Sequence, residues 1–152
     1  MSRSYFKKPK RSKGISTALQ LEKIKEYYPD TEVLKHTDKH LSITLNVKPT
    51  ALSESYDLKI DFSKNGTGSV AVYVINQKLK IAKNRKTLPH VYDNETQKLC
   101  LFTPKKKEWN LRRTLIDYII PWALEWLDFY EHWLISGEWL GGGHDEYATK
   151  ND

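Results

Sequence analysis

The sequence predicts an α+β domain whose helices cover one face of an antiparallel sheet. Three observations carry this reading. A short run of helical period ends at Pro29, a two-residue alternation follows from Asp30 to about Asn76, and a strongly aromatic helical run begins after Trp109. Strands that alternate apolar and polar residues have one face to bury, and the helices must supply the cover. Five Trp, nine Tyr and four Phe among 152 residues are enough bulk for a single core.

Taken in order, "STALQLEKIKEYYP" opens with Ser16 and Thr17 as candidate N-caps. Leu19, Leu21, Ile24 and Tyr28 recur at roughly helical spacing, and Pro29 stops the run. "EVLKH", "LSITLNVKP" and "YDLKIDFS" then alternate, most clearly at Leu41, Ile43, Leu45 and Val47 and at Leu58, Ile60 and Phe62. "KNGTG" is a hairpin-grade turn into a fourth strand, "SVAVYVIN", which completes a four-stranded meander. Gln77 to Thr87 is basic and polar and reads as a loop. "LPHVYDNETQKLCLF" is expected to be ordered irregular chain with a short strand at Leu99–Phe102. Beyond Trp109, Leu111, Leu115, Tyr118, Ile119, Trp122, Trp126, Tyr130 and Trp133 mark helix. Pro121 lacks an N–H and clashes with the preceding turn, so two pieces are expected, Leu111–Ile120 and Trp122–Ile135, with Gly137 as the stop.

Charge divides the chain into a basic arm, a moderately basic body and an acidic end. The net charge is +6 over residues 1–14, +6 over 15–124 and −6 over 125–152. The expected organisation is therefore a flexible basic arm (1–14), a domain (15–140) and a polar tail (141–152). A basic arm can hold nucleic acid or an acidic partner by counterion release, or simply remain a solvated tail. The longest uncharged stretch of the apolar region, Tyr118 to Leu124, is too short to span a bilayer, and no signal-peptide pattern is present. No membrane association is expected. A single cysteine excludes an internal disulfide, and the reading is a cytoplasmic protein with a reduced thiol. The five histidines have no metal-type spacing and no phosphate-cradling glycine motif occurs, so neither a metal nor a cofactor is expected.

The chain's one cysteine, Cys100, lies in "LPHVYDNETQKLCLFTPKKKEW". His90 stands ten residues before it, Tyr92 eight before it and Trp109 nine after it. On local grounds Cys100 is either a nucleophile or a small apolar residue in a core, because free cysteines are often buried and "LCLF" is apolar. The order of helix, meander, irregular segment, cysteine and helices resembles the ubiquitin-conjugating enzyme fold. In that family a His-Pro-Asn tripeptide begins ten residues before the catalytic cysteine. Hydrophobic residues bracket that cysteine, and a tryptophan follows about eight residues later. Here His90-Val91-Tyr92 holds the tripeptide position and Leu99 and Leu101 form the bracket. The helical region "IIPWALEWLDFYEHWL…GEWLGGGH" resembles the prokaryotic ubiquitin-conjugating-like proteins of CBASS antiphage operons, which lie beside a cGAS-like nucleotidyltransferase.

The resemblance implies that Cys100 carries a thioester to the nucleotidyltransferase's C-terminal residue and passes it to an amine of an unknown target. Tyr92 replaces the family asparagine that supports the reaction. Its hydroxyl can donate to a developing oxyanion or simply pack the loop, and Asn94 is a second candidate for the missing amide. The resemblance makes His90 an organiser of the loop, with proton transfer as the lesser alternative. Trp109 is expected as a wall of the core, and the Trp122, Trp126, Tyr130 and Trp133 stripe as core that can also leave a partner-binding surface. Lys98 and Lys105 to Lys107 flank the cysteine, and nearby positive charge favours a thiolate. Two other classes remain open: a non-catalytic adaptor of the same fold, and a nucleic-acid-binding protein using residues 1–14 and the Lys78–Lys86 loop. The last is disfavoured because no RNA-binding signature is present.

Overall fold

A computed structural model describes residues 14–103 and 108–141. Residues 1–13 of the basic arm, Lys105, Lys106 and Lys107, and the tail from residue 142, including His144, lie outside the described residues.

Helix α1 (Thr17–Tyr27) is capped by Ser16, whose hydroxyl accepts the Leu19 N–H at 3.1 Å. It is followed by β1 (Glu32–His36), β2 (His40–Val47), β3 (Tyr56–Ser63) and β4 (Ser69–Ile75). These four strands form the expected antiparallel meander, and the "KNGTG" turn closes with the Gly68 N–H donating to Asn65 O at 3.0 Å. Gly66 and Gly68 there take φ of 63° and 89°, a region open to glycine. Every second residue of β3 (Tyr56, Leu58, Ile60, Phe62) enters the core, together with Leu41, Ile43, Leu45 and Val47 of β2. The edge strand β1 is exposed along its whole length.

Three expectations need correction. The strand at Leu99–Phe102 is instead a hairpin, β5 (Val91–Asp93) with β6 (Lys98–Leu99), which extends the sheet to six strands in the order β1-β2-β3-β4-β6-β5. Cys100 therefore follows the last strand instead of lying inside one. The C-terminal helices are continuous. A π-helical turn, Leu115–Ile119, runs into α2 (Ile120–Ser136), and residues 111–114 are not helical. Pro121 sits in the first turn of α2 directly after the π-helical turn, whose Ile120 N–H bonds Leu115 O, and the helical run continues through it. Gly137 stops α2 as expected, with φ 78° and its N–H on Trp133 O at 2.7 Å.

The buried face of α1 is Thr17, Gln20 and Ile24, while Leu19 is exposed, so the apolar stripe read from the sequence is only partly the packing face. Gln20 is fully buried and ties α1 to the start of the C-terminal helix. Its amide donates to Arg113 O at 3.1 Å and accepts the Leu115 N–H at 2.8 Å.

Candidate functional site

The segment that carries Cys100 has little regular structure of its own, so side chains from elsewhere hold it. Gln97, buried at the end of the β5–β6 turn with φ 56°, uses its whole amide: Oε1 accepts the Leu79 N–H (2.7 Å), and Nε2 donates to Val74 O (3.0 Å) and Gln77 O (2.9 Å). Asn94 accepts the Leu88 N–H at 2.9 Å. Its carbonyl oxygen is thus spent on the loop. The carbonyl of His90 accepts both the Cys100 N–H and the Trp126 indole N–H, each at 2.9 Å. That double acceptor fixes the cysteine against α2.

His90 is buried, with 8% of its surface exposed, and takes a left-handed φ of 47°. Its ring stacks on Trp139 at 4.9 Å and 25°. A β-carbon-bearing residue in this region of backbone space is uncommon and is held here by its surroundings. Tyr92 is 53% exposed, and its hydroxyl donates to Phe102 O at 3.1 Å. The Cys100 Sγ lies 4.0 Å from the same carbonyl. His90, Tyr92 and Cys100 are therefore brought together, the first through its backbone and the second through its hydroxyl.

Burial pushes the Cys100 thiol up from its ordinary value; the Tyr92 hydrogen bond pulls it down, and the Glu108 carboxylate pushes it up. The net direction is upward, and of the flanking lysines only Lys98 lies among the described residues. The Lys98 ammonium lies over the Tyr92 ring, 5.1 Å from its centre.

Cys100 is half-buried and opens on a cavity of about 80 Å³ lined by His90, Leu101, Trp122, Glu125, Trp126, Phe129, Trp139 and Gly141. Trp126, Tyr130 and Trp133 are core, as the helical spacing suggests, while half-buried Trp122 lines the cavity. Trp109 is a core wall, packed edge-on to Phe62 at 6.3 Å. The sequence reading missed Trp139, Phe129 and Glu125. Trp139 stands outside any period, and Phe129 and Glu125 fall off the aromatic stripe, although Glu125 lies three residues after Trp122 and Phe129 seven after it, on one helix face.

Among the described residues, no group of three His, Cys, Asp or Glu side chains is placed to hold a metal ion, and no helix is long and apolar enough to cross a membrane. No curated protein matches the chain at a significant level. The helix, the antiparallel sheet and the long C-terminal helix are those of a ubiquitin-conjugating-like α+β fold. With the model of the type II CBASS E2 proteins matching residues 20–146, the chain belongs to that antiviral-defence family.

Proposed function

We propose that the protein is an acyl transferase of the ubiquitin-conjugating type. In this reading Cys100 takes the activated C-terminal carbonyl of a cGAS-like nucleotidyltransferase as a thioester and passes it to an amine, which regulates antiphage cyclic-oligonucleotide signalling. The observation that carries it is the convergence of the Cys100 sulfur and the Tyr92 hydroxyl on Phe102 O, beside a cavity that Cys100 itself lines.

The chemistry follows from that arrangement. The thiolate attacks, so the thiol must first give up its proton. A phenol has one proton to donate. It rests on Phe102 O while sulfur is protonated, and it can turn to sulfur, or to the oxyanion of the tetrahedral intermediate, once negative charge develops there. The Cys100 N–H is committed to His90 O and is not available for that task. Tyr92 is then the donor in place of the family amide, and Asn94 positions the loop. His90 acts through its backbone and stacked ring as a positioning residue. Collapse of the intermediate breaks the bond to the first leaving group, and attack by the amine later releases Cys100 as thiolate.

Tyr92 in place of the family asparagine favours one competing reading, an adaptor of the same fold that performs no chemistry. Intact mass measurement of the protein co-expressed with a cGAS-like nucleotidyltransferase separates the two. A reductant-labile adduct that becomes a stable ester or vanishes in Cys100→Ser supports the transferase. A clean unmodified mass within a stable complex leaves only the adaptor.

A further inference from the structure

The sheet is not filled along its whole length. The Val74 N–H donates to Gln97 O at 3.2 Å, and the Val74 C=O accepts Gln97 Nε2 at 3.0 Å, so both groups point away from β3 and toward β6. Alternation along an antiparallel strand turns the N–H and C=O of Val72 and Val70 to the same side. Yet β6 meets β4 at one position only, Lys98 against Tyr73. Among the described residues no strand continues that pairing along residues 69–72, and the Val70 N–H and C=O have no partner there. A groove of about 760 Å³ opens at this edge, a volume in the range of ligand clefts. Val70 and Val72 line it with Leu101, Phe102 and Trp109, and Lys98 is the charged residue of the described lining.

We infer that this groove takes an extended, acidic segment of a partner protein as an added strand. An open strand edge supplies directional backbone hydrogen bonds, and the alternation of side chains supplies the selection. The space lies between β4 and the segment that follows β6, so it admits one extended chain and not the edge of a second folded sheet. On the core side the added strand meets Trp109, packed on Phe62, and Phe102, packed on Trp122, and this favours apolar residues at every second position. On the outer side it meets Lys98, whose ammonium stands over the exposed Tyr92 ring. Charge there favours acid opposite Lys98. No acidic residue is among the described lining, and Glu108 spends a carboxylate oxygen on the Thr103 N–H at 3.3 Å. In sequence, Lys105, Lys106 and Lys107 fall between the lining residues Phe102 and Trp109 and add to the positive charge of that segment. A nucleic-acid strand fits less well, since it needs open aromatic faces for its bases. Trp109 is buried, and Lys98 covers the Tyr92 ring.

The test uses the full chain and short fluorescein-labelled peptides, read by fluorescence anisotropy. One peptide alternates valine with glutamate, a second alternates valine with lysine, and a third is the glutamate peptide with a proline at its centre. The glutamate peptide should bind saturably. The lysine peptide should bind about fivefold more weakly or worse, the scale of one close charge contact. The central proline should cost about fivefold, the scale of one net hydrogen bond. Lys98→Glu should reverse the preference between glutamate and lysine. Val70→Pro deletes the open edge donor without removing a ladder bond, and should weaken the glutamate peptide by about fivefold. Absence of saturable binding by the glutamate peptide overturns the proposal, and so does equal binding of the glutamate and lysine peptides or indifference to the proline. A single-stranded oligonucleotide that displaces the peptide would give the groove to nucleic acid. Self-association that Val70→Pro abolishes would give it to a second copy of the chain. Either result also overturns the proposal. The peptide series on the unmodified chain decides the matter even if Val70→Pro does not fold. Strand addition involves no step at Cys100, so its failure leaves the transferase reading untouched.

Discussion

The Cys100 thiol has two polar neighbours that pull its acidity in opposite directions. Tyr92 hydrogen-bonds it and lowers its pKa; Glu108 raises it through charge, in the same sense as burial. Tyr92→Phe should therefore slow iodoacetamide alkylation of Cys100 at neutral pH, and Glu108→Gln should speed it. A net hydrogen bond of about 1 kcal/mol corresponds to about a fivefold change in rate. In the unmodified protein alkylation should keep rising with pH past the point where a free cysteine levels off. The sign also fixes a stability term. A thiol raised in the fold stabilises it while protonated, and that contribution fades as pH climbs through the folded pKa. Alkylation rates that are the same in all three proteins would refute the assignment. Cys100, His90 and Tyr92 were legible as a group only through the family resemblance, whose spacing they share. Their roles were not: the His90 carbonyl and the Phe102 carbonyl are backbone groups, and no residue type announces them.

Between elements, the decisive contacts are buried side-chain amides bonded to backbone. Gln97 satisfies one N–H and two carbonyls that would otherwise be orphaned where the β5–β6 hairpin meets β4 and the Gln77–Leu79 loop. Gln97→Ala should cost about 3 kcal/mol, since leaving buried polar groups unpaired is worth 1–3 kcal/mol each and water can rescue some of them. Urea unfolding should show a lower midpoint at an unchanged slope, and a loss below about 0.5 kcal/mol would show that the amide does not hold the hairpin. The meander, the α1 cap and the glycine turn were readable because alternation, a Ser cap and φ > 0 glycines each leave a residue-type signature. Strands of three and two residues leave none, which is why β5 has no sequence signal and the strand expected at Leu99–Phe102 meets β6 only at Leu99. Pro121 misled for a related reason: it marks a helix interruption or a helix start equally well, and the π-helical turn before it decides which.

At the scale of the molecule, the chain after α2 returns to the cysteine. Trp139, only two residues past the Gly137 stop, stacks on His90 from the Cys100 segment and packs on Trp126 and Phe129 from α2. The Cys100 segment and the α2–C-terminal turn region thus share one aromatic cluster, and Trp139 and Gly141 of that turn line the cavity at Cys100. Trp139→Ala should then do two things at once. Loss of a partly buried indole should cost about 2–3 kcal/mol, below the 3–5 kcal/mol of a fully buried tryptophan, which at this chain length lowers Tm by roughly 5–10 °C. It should also speed alkylation of Cys100, because the wall that shields the sulfur is gone. Leu140→Ala is the internal control: Leu140 is 61% exposed and should move neither quantity. A Trp139→Ala protein that melts lower but guards its thiol as before would mean that Trp139 contributes to stability alone and that α2 and the His90 segment close the site without it. Changes in both, with Leu140→Ala silent, would tie access to the sulfur to the docking of the C-terminal turn.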